Sequence, residues 1–406
     1  MEKNKFVIIY IIFFISQFLF GTIYIGPLSV RNIMTLVMLF ECVKEGYCKI
    51  DKYFGIYMVF IAFYVLACGL TGYFEDAVTK CFAYYLVCFV AYQSTKILIL
   101  KYDAGVALIY TILVVGIVDA ILTIGQYFGN SYAFEIFEFF KSKGTSEDTL
   151  LLFDKKGTLN GVVMPGLIGG VANGYFLSAM CALAFFQKEA NLKIYNIILA
   201  LFFLVATFMV QERTGAVVGI FITSYLFFKQ QIKKVNIGVI FVLIIIGLNV
   251  LPFLSDTIFG ESSRYSNLSF SDDARSNYWE YVLNYMLINP LGSIYGYEQI
   301  YFMPPHNFIL NAFVYAGIIG GPILLLLIVI QVKYIIPIVM GRINVSNILP
   351  ILFGLVYMGY TLNSVTHNAS LMTGDSMFWI SWAVVICSSR SRGNRTPLRV
   401  HGKISK

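Results

Sequence analysis

Charge is scarce in this chain. Of its 406 residues, 13% are Asp, Glu, Lys or Arg and 58% are hydrophobic, against roughly 25% charged in an ordinary soluble domain. No water-soluble core needs so much apolar surface, which excludes the soluble classes. Period-two alternation is also lacking. Long apolar runs such as Val235–Leu251 and Ile318–Val332 exclude an outer-membrane β-barrel. Histidine occurs three times, and the seven cysteines (42, 48, 68, 81, 88, 181 and 387) show no zinc-like spacing. The cysteines read as apolar packing residues. No convincing internal repeat of the transporter kind is found.

What is present is helix of hydrocarbon length. Mean hydropathy is +0.76, and the apolar run after Lys3 and Lys5 is too long for a cleaved signal core, so it reads as a first span. The expectation is an all-α, polytopic helical membrane protein: one integral-membrane domain over 1–406, with about twelve spans of ~20 residues. They fall near 6–25, 28–43, 54–73, 77–94, 104–126, 162–187, 193–210, 214–228, 235–253, 307–333, 345–365 and 371–388. Net charge is +7, and its placement orients the chain. Lys44, Lys49 and Lys52, Lys96 and Lys101, Lys188 and Lys193, Lys229, Lys233 and Lys234, and Lys333 with Arg342 recur in alternate loops. Arg390, Arg392, Arg395, Arg399, Lys403 and Lys406 add a basic tail over 389–406. Positive charge marks the cytoplasmic side, so both termini are placed inside. After a membrane span such a tail is an orientation signal rather than a nucleic-acid patch, and no nucleic-acid partner is expected.

This orientation leaves two long outer loops, about 127–161 and 254–306. The first holds Lys141, Lys143, Glu147, Asp148, Asp154, Lys155 and Lys156 without a sharp motif and reads as a solvated lid. It leads into Pro165-Gly166, Gly169-Gly170 and Asn173-Gly174, small residues that let helices approach closely. In the second, Ser269-Phe-Ser-Asp272 has capping-box spacing and opens an amphipathic interfacial helix that Asn289-Pro290 stops. Arg275, Trp279, Val282 and Met286 follow helical spacing within it, with Tyr278 alongside.

Few groups in this setting can do chemistry. Arg213 lies in the tight turn Val210-Gln-Glu-Arg-Thr-Gly215. It is either neutralised by Glu212 or free to grip a phosphate with its planar fork. Arg264 is a further outer-loop arginine. Asp119 stands inside the fifth span, where a carboxylate is costly and is either paired for structure or functional. His306 sits where the second long loop re-enters the membrane, and a histidine there invites a chemical explanation. His367 is an interfacial histidine of less consequence, and His401 lies in the tail.

Three separated elements together resemble the signature of the O-antigen ligase and polymerase superfamily. They are Gln211-Glu-Arg213-Thr-Gly-Ala, the run from Arg275 and Trp279 to Asn289-Pro290-Leu-Gly292 and Gly296, and His306-Asn307 followed by Gly317 and Gly320. The family commonly has serine before the first arginine, where this chain has Glu212. The resemblance implies a GT-C-like membrane glycosyltransferase on the outer face of the bacterial cytoplasmic membrane. Its donor is an oligosaccharide on undecaprenyl pyrophosphate, and its product is O-antigen or capsular polysaccharide. It assigns His306, Arg213 and Arg275 to catalysis and, in the same motifs, Asn307, Trp279 and Tyr278 to substrate binding; Arg264 and Asp119 join the substrate-binding set from their own placement, not from the resemblance. His306 is either general base or a hydrogen-bond partner of the pyrophosphate. Arginines can carry the departing charge that metal ions carry elsewhere. The outer loops hold no Asp-x-Asp, so a metal-independent enzyme without cofactor is expected. Membrane lipids and a chain-length regulator are the further expected partners. Polymerase is favoured over ligase because nothing in the sequence suggests a site for lipid A core. A transporter of lipid-linked sugars is the rival of a different class, but it would place charge along a path through the membrane.

Overall fold

A computed structural model describes residues 2–19, 24–25, 28–46, 48–141, 163–186, 194–231, 278–302, 304–305, 307–343, 345, 347–366 and 371–389. The expected span 235–253, the tail from 390 onward and much of both long loops lie outside the described residues. In chain order the helices are α1 (Glu2–Leu19), α2 (Val30–Lys44), α3 (Lys52–Leu70), α4 (Phe74–Leu100), α5 (Gly105–Tyr127), α6 (Ser131–Lys141) and α7 (Gly170–Leu183). They continue as α8 (Ile194–Met209), α9 (Arg213–Gln231), α10 (Tyr278–Ile288), α11 (Ile294–Tyr301), α12 (Phe308–Val339), α13 (Leu349–Thr366) and α14 (Ser376–Ser388). A two-residue hairpin pairs β1 (Tyr24–Ile25) antiparallel with β2 (Leu28–Ser29).

The chain is a multi-pass, all-α membrane protein. Among the described residues α3, α4, α5, α12 and α13 are long and apolar enough to cross a membrane, and α8 and α14 are shorter apolar helices. Five full-length spans therefore stand beside the twelve expected. The expected span 162–187 shortens to α7, because Pro165 and the positive φ of Gly166 and Gly169 hold residues 163–169 out of helix. The first long loop begins with a helix, α6, which packs Ala133 against Leu122 and Leu167. On α5, Tyr110, Val114, Val118 and Ile121 form an outward apolar stripe, each about half exposed. In water that stripe would be an aggregation surface; in a bilayer it meets the solvent it suits.

The buried side is aromatic. Trp379 of α14 lies between Phe54, Tyr57 and Tyr92, with ring centroids 4.7–5.1 Å away. α13 packs on α7, α9, α12 and α14, and α3 packs along α12. Tyr357 donates to Gln331 Oε1 (2.5 Å), and Tyr10 pairs with Thr95 (2.8 Å). Such cross-helix polar contacts hold helices together where burial of apolar surface no longer drives them. One end of the bundle collects lysines: Lys5 pairs with Glu41, Lys96 with Asp51 and Lys101 with Glu45, while Lys229 donates to the Val339 carbonyl.

The other end is organised by a joint in α12. Asn307 caps that helix by accepting from the Ile309 and Leu310 amides (2.8 and 3.3 Å). At Ala316 and Gly317 (φ 69°, ψ −168°) the helix breaks. The freed groups are taken up by the chain leaving α10: Ile318 N–H donates to Pro290 O (2.9 Å), and Ser293 N–H donates to Val314 O (2.8 Å). A Cβ on Gly317 would stand 2.4 Å from Pro290 O, and one on Gly292 would stand 2.7 Å from the Gly317 amide nitrogen. Gly320 lets Phe63 of α3 approach to 2.7 Å of where its own Cβ would be. The glycine half of the His306 motif is thus a packing device, and the Asn289-Pro290 stop of α10 is one of its faces.

The joint makes a sharp prediction. Gly317→Ala combines a left-handed backbone with a backbone clash, and should lower stability by about 2–5 kcal/mol. Gly72→Ala has a positive φ but open space around it, so it should cost only about 1 kcal/mol. Thermal midpoints in detergent, followed by fluorescence-detected size exclusion, check the difference; equal midpoints would refute the joint.

Candidate functional site

The end of the bundle that carries the joint also carries the polar chemistry, in two groups. The first surrounds the entrance of α12. α10 and α11 pack on each other through tyrosine rings: Tyr281 stacks on Tyr301 (5.0 Å), Tyr285 meets Tyr297 edge to face (5.3 Å), and Tyr297 lies tilted against Tyr301 (4.7 Å). Tyr297 is fully buried there. Asn311 Nδ2 donates to Pro305 O (2.5 Å), which together with the Asn307 cap fixes the chain on both sides of His306.

Beside α12 stands a cation that the sequence reading passed over. Lys80 Nζ donates to the Tyr315 hydroxyl (2.7 Å) and lies 4.3 Å from the centre of that ring. Among the described residues no carboxylate comes within 4.0 Å of it. Burial holds the nearby Glu298 carboxyl above the usual carboxylate range, with Lys80 pulling it the other way. Asp76, Thr79, Lys80, Tyr84 and Tyr295 line a cavity of about 430 Å³. The available signal was a lysine inside an expected span, at the end away from the basic loops.

The second group surrounds Arg213, the first residue of α9. Gln211 takes a left-handed conformation (φ 63°) in the turn before it. Glu212 accepts from the Thr214 amide (3.1 Å) and the Gly215 amide, so its carboxylate caps α9. Serine caps helices in the same position, so the departure from the family's serine preserves the local task. Gly215 and Gly174 touch backbone to backbone, a Cβ on Gly215 meeting Gly174 O at 2.9 Å. The small residues at the entrance of α7 therefore do allow close helix approach. Thr214 and Thr366 pair through their hydroxyls (2.8 Å), tying α9 to α13.

Asp119 belongs to this second group. It is fully buried and accepts from the Leu167 amide (2.6 Å). Gln126 accepts from the Gly166 amide (2.8 Å) and donates to the Gly166 carbonyl (3.0 Å), and Asn173 donates to Met164 O (3.0 Å). The Met164 amide in turn donates to Val210 O (2.9 Å), so the clamp built on Asp119 ends at the turn carrying Arg213.

The remaining site residues fall as follows. Tyr278 is partly buried against the core, whereas Trp279 is 52% exposed. Trp279 shares its face of α10 with Leu283 and Leu287, and the buried face is Val282 and Tyr285. Trp279, expected to follow the same helical spacing as Val282, lies instead on the exposed face. His306, Arg264 and Arg275 lie outside the described residues, as does His367.

The clamp can be tested. Asp119→Ala leaves the Leu167 amide without this acceptor and should cost about 1–3 kcal/mol of stability. Asp119→Asn keeps an acceptor oxygen and should retain most of it. Thermal midpoints check this, and a normal midpoint for Asp119→Ala would shift Asp119 from scaffold to substrate.

No curated protein and no solved structure matches the chain. Residues 198–328 match the family model described as O-Antigen ligase, a stretch that runs from α8 through the α12 joint, and this match supports placing the chain in the O-antigen ligase and polymerase superfamily.

Proposed function

We propose that this chain is a glycosyltransferase that polymerises undecaprenyl-pyrophosphate-linked oligosaccharide repeats on the outer face of the bacterial cytoplasmic membrane. The observation that carries the reading is where the family match falls. Residues 198–328 take in Arg213 at the head of α9, the α10–α11 pair, the Asn307 cap and the Gly317 break. The lysine-rich end of the bundle faces the cytoplasm with both termini, and the end bearing Arg213 and Asn307 faces out.

In the reaction, an acceptor sugar hydroxyl attacks the anomeric carbon of the donor. The bond from that carbon to the pyrophosphate oxygen breaks, and undecaprenyl pyrophosphate leaves as an anion. Arg213 and Arg275 offset the charge that develops on the leaving group, with Arg264 and Lys80 adding to the field that holds it. His306 takes the hydroxyl proton. Asn307 fixes His306 at the head of α12, and Asp119 shapes the turn beside Arg213. Tyr278 and Trp279 sit at the interface where the lipid-linked donor enters. With arginines supplying the positive charge, no metal is required.

Purified protein in lipid nanodiscs, given a fluorescent lipid-linked repeat and EDTA, should yield a ladder of longer lipid-linked products. His306→Ala and Arg213→Ala should each lower the rate about 10²–10³-fold in correctly inserted protein. If His306 is the base, activity falls as pH drops through its titration, between about pH 8 and 5; a fall on the alkaline side would make it a pyrophosphate ligand. Product only after addition of lipid A core would make the enzyme a ligase. No product in either case, from folded protein, would favour a transporter.

A further inference from the structure

A second cleft, of about 280 Å³, opens at the same end of the bundle among α1, α2, α4, α7, α13 and α14. Arg31, Gln17, Tyr84 and Asp375 line it, with Phe18, Val87 and Ile168 as apolar walls. All of these lie outside residues 198–328, so the cleft is built by the part of the chain that the family match does not reach.

Its construction is specific. α4 widens to a π-helical turn over Cys81–Tyr85, a form found mostly as single bulges and frequently at functional sites. That turn presents the Ala83 carbonyl to Arg31 Nη2 (2.9 Å) and sets the Tyr84 ring 4.7 Å from the guanidinium carbon. The turn over residues 371–375 fastens the bulge from the other side. Tyr85 donates to Met372 O (2.8 Å), Tyr57 donates to Leu371 O (2.5 Å), and Gly374 (φ 78°) admits Tyr84 Cβ where its own Cβ would clash. Arg31 is therefore held as a plane, with one edge tied.

The polar atoms left in the cleft are mixed. Arg31 Nε and Gln17 Oε1 are closed off behind the lining, so the polar groups a ligand can use are the rest of the Arg31 guanidinium and the carboxylate of Asp375. Asp375 caps α14 with one oxygen, at 2.9 Å from the Met377 amide. Among the described residues neither Arg31 nor Asp375 has an opposite charge within 4.0 Å. Donors and acceptors that share a space and do not satisfy each other call for a ligand offering both. A simple anion would satisfy Arg31 and meet repulsion from Asp375. A polyhydroxylated ring satisfies both, since hydroxyls accept from the guanidinium and donate to the carboxylate, while C–H faces rest on apolar walls. The volume lies near the lower end of small-molecule sites, about 300–1,000 Å³, which is room for one sugar ring.

We infer that the Arg31–Gln17–Asp375 cleft is a sugar subsite that recognises one residue of the glycan, separate from the elements that hold the pyrophosphate. Tyr84 is the shared wall between it and the Lys80 cavity. The inference rests on the glycosyl-transfer reading for the identity of the sugar as substrate. It goes further in assigning glycan selectivity to the chain's flanking parts.

The test uses the full chain in nanodiscs with two separate probes: the host's own repeat-unit oligosaccharide, freed from its lipid by mild acid, and undecaprenyl pyrophosphate without sugar. Saturation-transfer NMR with titration should show the oligosaccharide binding to the wild type. Arg31→Gln and Asp375→Asn should each weaken it about tenfold or more, the loss expected for one charged hydrogen bond. Asn still caps α14, so Asp375→Asn keeps the fold. Undecaprenyl pyrophosphate should bind all three proteins alike. Oligosaccharide that fails to bind the wild type, or that binds these variants equally well, overturns the subsite. Loss of undecaprenyl pyrophosphate binding instead makes the cleft an anion site and overturns it too. Oligosaccharide binding that depends on these residues in a protein that forms no product supports the cleft and counts against glycosyl transfer.

Discussion

A helix in hydrocarbon satisfies its backbone internally, because nothing around it can. α12 gives this up at Ala316–Gly317, and the freed amide and carbonyl are recovered by the segment that ends α10. That exchange ties the matched region together. It fixes the height at which α11 starts, through Ser293, whose hydroxyl accepts from Thr71 of the α3–α4 connection (2.7 Å). It also fixes the direction in which the first turns of α12 run back to Asn307 and His306. An unpaired backbone group in this setting costs several kcal/mol, so the break and the docking segment exist together or not at all.

The same logic explains the division of the molecule into two unlike ends. At the lysine-rich end, charges pair with single acidic partners or helix carbonyls, close to water. At the other end several polar side chains act on backbone: the buried Asp119, Gln126 and Asn173 on the 163–169 segment, the buried Glu212 on α9, and the half-buried Asn307 on α12. Holding irregular backbone in place at membrane depth takes such side chains, and irregular backbone is what lets several chain segments converge on one site.

Much of this was legible in sequence where the signal was local. The apolar runs gave α3, α4, α5, α12 and α13, the Asn-Pro pair gave the end of α10, and Gly317 stood out by spacing. What was not legible depends on partners distant in the chain. The π-turn in α4 leaves no periodicity mark, because five residues shift the helix phase by less than composition can register. Lys80 reads as a stray charge until Tyr315 is beside it, more than two hundred residues away. The helical spacing within α10 was recognised, but spacing left open whether Trp279 meets the membrane or the core. Both stripes are apolar, and only the neighbouring α11 decides which is covered. Asp119 was seen as costly, but its partner is a backbone amide, which no side-chain pattern announces.

Arg213 shows how local energetics bear on function. A cation at the first position of a helix opposes the dipole by about 0.3–1 kcal/mol, and the chain spends an acidic residue at the cap of that helix. Glu212 already meets the need of the α9 terminus by binding the Thr214 and Gly215 amides. The turn that carries Arg213 is braced from three sides: the left-handed Gln211, the Met164–Val210 bond and the Gly174–Gly215 contact. The bracing therefore holds in place a residue that the dipole of its own helix does not favour.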